Sequence, residues 1–134
     1  MKFTCQDISI NDEDFGCTIS LSENRDDYNE ENIRKVAKMS QSQIAELIGR
    51  YILLQRTYPE DEFEKDYYYF ESSDETESGE LNNFKIELYP TRFLMYREKD
   101  VFDIEIKPSK KELANLKVAL KKIVNDRGGL LIHT

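Results

Sequence analysis

Alternation of apolar and polar residues dominates the chain, and two stretches of helical spacing interrupt it. Phe3 and Cys5 are apolar at odd positions and Ile8 and Ile10 at even ones. A first strand over residues 3–10 therefore carries a parity change near Gln6 and Asp7, which predicts a bulge. Cys17, Ile19 and Leu21 alternate with Thr18, Ser20 and Ser22, giving a half-buried strand over 16–22. Residues 11–16 form the turn of the resulting hairpin. Tyr51-Ile52-Leu53-Leu54 is apolar on both faces and reads as a central strand running on to Thr57. Residues 66–72, with three consecutive tyrosines and Phe70, have high β propensity. Phe84, Ile86 and Leu88, then Phe93–Tyr96, then Phe102, Ile104 and Ile106 are separated by short turns and predict an antiparallel meander.

Helical spacing appears twice. Asn29 is placed to cap a helix over about 30–49, with Glu30 and Glu31 in its first turn. Ile33, Val36, Ala37, Ile44, Leu47 and Ile48 fall on one face. Ser40-Gln41-Ser42 interrupts that face, and Ser40 with Gln43 has capping-box spacing, so the stretch is either one helix or two broken at Ser40. Gly49 ends it. The second helix starts at Ser109, with Glu112 three residues on. It buries Leu113, Leu116, Leu120, Ile123 and Val124, and stops at Gly128-Gly129. Residues 130–134 form a short last strand or an ordered tail. These elements predict one α+β domain: a largely antiparallel sheet of six or seven strands, with helices about 30–49 and 109–125 packed on one face. At 134 residues the chain buries roughly two-thirds of its unfolded surface, enough for one core.

Charge gives that outline a direction. Acids outnumber bases 27 to 19, for a net −8. Residues 1–31 and 58–80 hold 19 of the 27 acids against three bases, whereas residues 107–127 hold seven bases and two acids. A protein so polarised repels nucleic acid and anionic membrane and attracts basic partners. The longest apolar run is far shorter than the ~20 residues of a membrane span. The first residues have no secretory apolar region, so a cytoplasmic protein is expected. Cys5 and Cys17 sit too far apart along the expected hairpin, where Cys17 would face about residue 9, to form a bridge. They read as small buried hydrophobes in a reducing compartment.

The usual carriers of chemistry are missing. His133 is the only histidine and lies at the end of the sequence, a poor place for a general base. No Cys-x-x-Cys, Gly-x-Gly-x-x-Gly, phosphate-binding loop or Gly-x-Ser-x-Gly occurs. Asp74-Glu75-Thr76-Glu77-Ser78-Gly79 superficially resembles a calcium loop, but position twelve would be Lys85, where a bidentate glutamate is needed. Carboxylate pairs for glycoside hydrolysis are available among so many acids, yet no tryptophan offers a sugar platform. The expectation is a protein without catalytic residues, cofactor or metal.

What remains is a surface. Tyr51, Tyr67, Tyr68 and Tyr69 lie on strands flanking an acidic loop, and rings that anchor beside carboxylates that steer are suited to a protein interface. The candidate partner-binding residues are Tyr58, Glu60, Asp61, Glu62, Glu64, Asp66, Tyr68, Asp74, Glu75 and Glu77. The five lysines of the second helix read as a solvated face rather than a nucleic-acid site.

From Tyr51-Ile52-Leu53-Leu54-Gln55-Arg56 onward a longer pattern appears. The strand ending in Leu-Gln-Arg is followed by an acidic loop with Asp66, an aromatic strand (Tyr67–Glu71), the meander Phe84–Leu88, Phe93–Tyr96 and Phe102–Ile106, and an amphipathic helix from Ser109. Over about residues 51–124 this resembles immunity-protein family ten of bacterial polymorphic-toxin systems. The resemblance implies a cytoplasmic antitoxin that blocks a cognate toxin domain, many of which are basic nucleases. A structural or regulatory protein acting as a homodimer through an exposed tyrosine-rich edge is the alternative.

Overall fold

A computed structural model describes residues 1–24, 34–35, 37–74, 78–125 and 127–133. The fold is α+β. Among the described residues there are ten strands: β1 (Lys2–Thr4), β2 (Asp7–Glu13), β3 (Gly16–Ser22), β4 (Tyr51–Thr57), β5 (Tyr67–Ser72), β6 (Gly79–Glu80), β7 (Phe84–Tyr89), β8 (Arg92–Arg97), β9 (Asp100–Glu105) and β10 (Gly129–Ile132). Helix α1 spans Gln41–Ile48 and helix α2 spans Lys110–Val124. The strands form two five-stranded sheets rather than the single sheet of six or seven expected. One is antiparallel throughout, in the order β2-β3-β4-β5-β6. The other is mixed, in the order β1-β9-β8-β7-β10, with β1 and β10 added parallel at its two edges. Inward alternation is the same for one large sheet as for two packed ones, which is why the pattern of apolar residues alone suggested one.

The parity change at Gln6 marks the passage between sheets. Cys5 N–H donates to the Glu105 carbonyl of the mixed sheet at 2.8 Å, and Gln6 N–H donates to the Ser22 carbonyl of the antiparallel sheet at 2.8 Å. Ser22 also faces Asp7, so two residues oppose one there, as in a bulge. The β2–β3 turn is shorter than expected, Asp14 and Phe15 alone, and the register places Cys17 opposite Asp12 rather than residue 9. Both cysteines are free and buried, and burial pushes both thiols above their ordinary pKa.

Cross-strand rows build the core. Ile19, Leu54 and Phe70 face one another across the antiparallel sheet, as do Phe3, Ile104 and Phe93 across the mixed sheet. Phe70 meets Phe102 edge-on, ring centroids 5.1 Å apart, which joins the two inner faces. Helix α2 lays Leu116, Ala119, Leu120, Ile123 and Val124 into the core, against β2–β4 and β10.

The α2 start is the expected capping box: Glu112 N–H donates to Ser109 Oγ, and Ser109 N–H donates to Glu112 Oε1. Its end comes earlier than the glycine pair, at Asn125, whose left-handed backbone (φ 50°) carries its N–H back to the Lys121 carbonyl. Of the first expected helix, Arg34, Lys35 and Ala37 are helical, Lys38–Ser40 breaks the run, and Ser40 caps α1 through a reciprocal pair with Gln43. The described residues therefore show a break before Ser40, with α1 starting after it. Ala37, expected on a buried face, is exposed, and Ile44 is half-buried. Asn29–Ile33 and Val36 lie outside the described residues.

Candidate functional site

The acidic loop is built from the last turn of β4 outward. On β4, Arg56 points inward in the row Asp12–Cys17–Arg56–Tyr68, one row before the sheet ends at Glu13–Gly16–Thr57–Tyr67. Its guanidinium lies over the rings of Tyr58 and Tyr68, at 5.1 and 5.9 Å from their centroids. It donates from Nε to Asp66 Oδ2 at 2.6 Å and from Nη1 to the Lys122 carbonyl at 2.7 Å. That fixes the far end of the loop, where Asp66 enters β5. The near end is fixed by Tyr58, whose N–H donates to the Phe15 carbonyl at 2.8 Å and whose hydroxyl donates to Asp12 Oδ1 at 3.2 Å. Asp12 is in turn paired with Lys122 at the end of α2, which holds its carboxyl below the usual carboxylate range. Within the loop, Asp61 Oδ1 accepts from the N–H groups of Phe63 and Glu64 at 2.9 and 3.1 Å, and Glu64 Oε2 accepts from Glu60 N–H at 3.1 Å.

The braced loop displays Glu60, Asp61, Glu62 and Glu64, all exposed, around Phe63, which is 87% exposed. Next to it, through the Tyr58–Phe15 hydrogen bond, stands the β2–β3 turn, with Glu13, Asp14 and Phe15, the last 70% exposed. Tyr67, paired with Thr57 at the same end, is exposed too. Among the described residues, no ion pair engages Glu13, Asp14, Glu60, Asp61, Glu62 or Glu64. One end of the antiparallel sheet is thus an anionic surface carrying three exposed aromatic rings. Gly16 lets the turn sit this close: a Cβ there would collide with the Arg56 carbonyl oxygen.

The ten candidate residues divide accordingly. Glu60, Asp61, Glu62 and Glu64 share this surface, with Tyr58 half-buried at its base. Asp66 is taken up by Arg56 and serves as an anchor. Tyr68 is not a surface residue: it is 4% exposed, its ring lies under the Arg127 guanidinium at 4.6 Å, and its hydroxyl accepts from Asn125 Nδ2 at 3.3 Å. The alternation of β5 turns Tyr68, Phe70 and Ser72 inward together. Asp74 lies two residues beyond the opposite end of β5, so the length of the strand, about 17 Å, separates Tyr67 from that end. Glu75 and Glu77 lie outside the described residues. Tyr51 and Tyr69 share the outer face of the sheet, where both hydroxyls donate to Glu71, at 2.8 and 3.0 Å.

Sequence reasoning missed Glu13, Asp14, Phe15 and Phe63. The signal was present, as an aromatic residue embedded in each of two acidic turns, but only the ladder register shows that the two turns meet.

Among the described residues, no group of three or more His, Cys, Asp or Glu side chains is arranged to hold a metal ion, and no helix is long and apolar enough to cross a membrane. No protein-family model, curated protein or solved structure matches the chain.

Proposed function

We propose that this is a non-enzymatic binding protein, a cytoplasmic immunity protein that neutralises a cognate basic toxin domain by covering it with the acidic, aromatic-tipped end of the antiparallel sheet. The observation that supports this is the loop 58–66, held at both ends by internal pairs while four of its carboxylates stay outside any ion pair among the described residues. Clustered, uncompensated anions raise the rate of encounter with a cationic partner, by 10- to 1000-fold in typical steered pairs. Exposed rings on a pre-braced loop supply apolar contact with little ordering cost. The resemblance of residues 51–124 to the immunity family points the same way.

The reading requires a toxin domain encoded beside this gene, and the test is co-expression and binding with such a domain. The protein should relieve the toxin's growth arrest. Neutralising Glu60, Asp61, Glu62 and Glu64 together to Gln or Asn should slow association about tenfold or more at low salt and flatten its salt dependence. An association rate unaffected by the four changes would reject the acidic end as the docking surface. Absence of any protection would reject the immunity reading.

A further inference from the structure

The outer face of the mixed sheet differs from the rest of the molecule. Leu94, Tyr96, Val101 and Leu131 share it, and the last three are exposed. Its charges cancel: Lys2, Lys85 and Arg92 stand against Glu87, Asp103 and Glu105, in a chain whose net charge is −8. Arg92 grips Asp103 at both oxygens, 2.8 and 2.6 Å, and Lys85 lies 3.7 Å from Glu87.

We infer that this face docks a second copy of the chain about a two-fold axis. Two bodies with the same large negative charge repel each other except where the facing surfaces are neutral, and here that neutral surface also exposes apolar side chains, Tyr96 and Val101 at one end and Leu131 on the edge strand. Arg92 and Asp103 of one copy can pair with Asp103 and Arg92 of the other, so the face is complementary to itself without added charge. Three strands of six residues flanked by edge strands of three and four, about 4.8 Å apart, give a face of about 400 Å² per copy. A standard stable interface takes about 800 Å² per partner, so the dimer is a weak one. It leaves the acidic end, on the other sheet, open to a partner. The inference does not depend on what that partner is.

Sedimentation velocity of the full chain from about 5 to about 500 µM tests it. The average sedimentation coefficient should rise with concentration and change little with salt. Val101→Asp combined with Leu131→Asp replaces two exposed side chains and should abolish the rise while leaving the circular dichroism spectrum unchanged. Phe63→Ser, at the acidic end, should rise as the parent does. A wild-type protein that stays monomeric throughout, or a rise that survives the Val101/Leu131 changes or disappears with Phe63→Ser, overturns the inference.

Discussion

The acidic end of the antiparallel sheet and the outer face of the mixed sheet use the same residue types in opposite ways. On the mixed sheet, Asp103 and Glu87 each sit beside a cation supplied by a β strand, so two of the three outward carboxylates are matched within the sheet. At the acidic end, the only carboxylates paired with a cation among the described residues are Asp12 and Asp66, the two that tie the loop and turn to the framework. The carboxylates in between are left without one. Cations are therefore spent where they fix position and withheld where charge is displayed. The difference separates a surface suited to a like molecule from one suited to an oppositely charged one.

The comparison breaks most completely at the core that both regions rest on. Phe70 backs the antiparallel sheet and Phe102 the mixed sheet, and their edge-to-face contact joins them. Either residue changed to Ala should lower the unfolding free energy by about 3–5 kcal/mol. The double change should cost less than the sum by about 0.5–1.5 kcal/mol, the worth of the ring pair itself. Denaturant unfolding of the four proteins measures it. Strict additivity would mean that the sheets are stabilised independently.

A smaller change separates the regions. Arg56→Met keeps an apolar stem but removes the Asp66 pair and the bond to the Lys122 carbonyl. The pair is partly buried, so the expected cost is about 1–3 kcal/mol, between exposed and fully buried ion pairs. Hydrogen exchange should quicken through residues 58–66 and stay as it was in β7–β9. A uniform acceleration would show that the loop is not separately braced.

Much of this contrast was written in the chain, and the unreadable part has one cause. Strands with strict alternation (β3, β7 and β9) and the Ser109 capping box are local, so the residues themselves specify them. The meander followed because its turns are short. What could not be read was which strands are neighbours without being consecutive. Phe3 pairs with Ile104, and Leu130 with Ile86, in parallel ladders whose partners lie far away in sequence. The single-sheet expectation failed at that point. The candidate surface failed the same way: Asp74 is close to Asp66 in sequence yet lies at the other end of β5, while Phe15, more than forty residues from Phe63, stands beside its loop. Tyr68 was a matter of parity. In a run of three tyrosines, composition cannot say which one turns inward.

The weakest effect to be measured is a pH dependence that reaches both regions. Arg50 straps the sheets together: it donates from its backbone N–H and Nε to Glu23 Oε2 and from Nη2 to Oε1, while Nη1 donates to the Lys2 carbonyl of the mixed sheet at 2.6 Å. Those hydrogen bonds hold the Glu23 carboxyl down to about 2. Hydrogen bonds from Lys122 and Arg92 lower Asp12 at the acidic end and Asp103 on the mixed face. An unfolded carboxyl titrates near about 4. Between there and about 2 the unfolded chain holds protons that the folded one does not, so stability rises with pH across that window. The contribution is complete above the unfolded value and is lost as pH falls through the folded one. The thermal midpoint should therefore decline from about pH 4 toward 2, and Arg50→Gln should make that decline shallower by removing the Glu23 share. All three carboxylates are solvent-facing, so salt should weaken the slope as well. A decline of unchanged steepness in Arg50→Gln would mean that the strap orders the chain through its bond to Lys2 rather than through its charge.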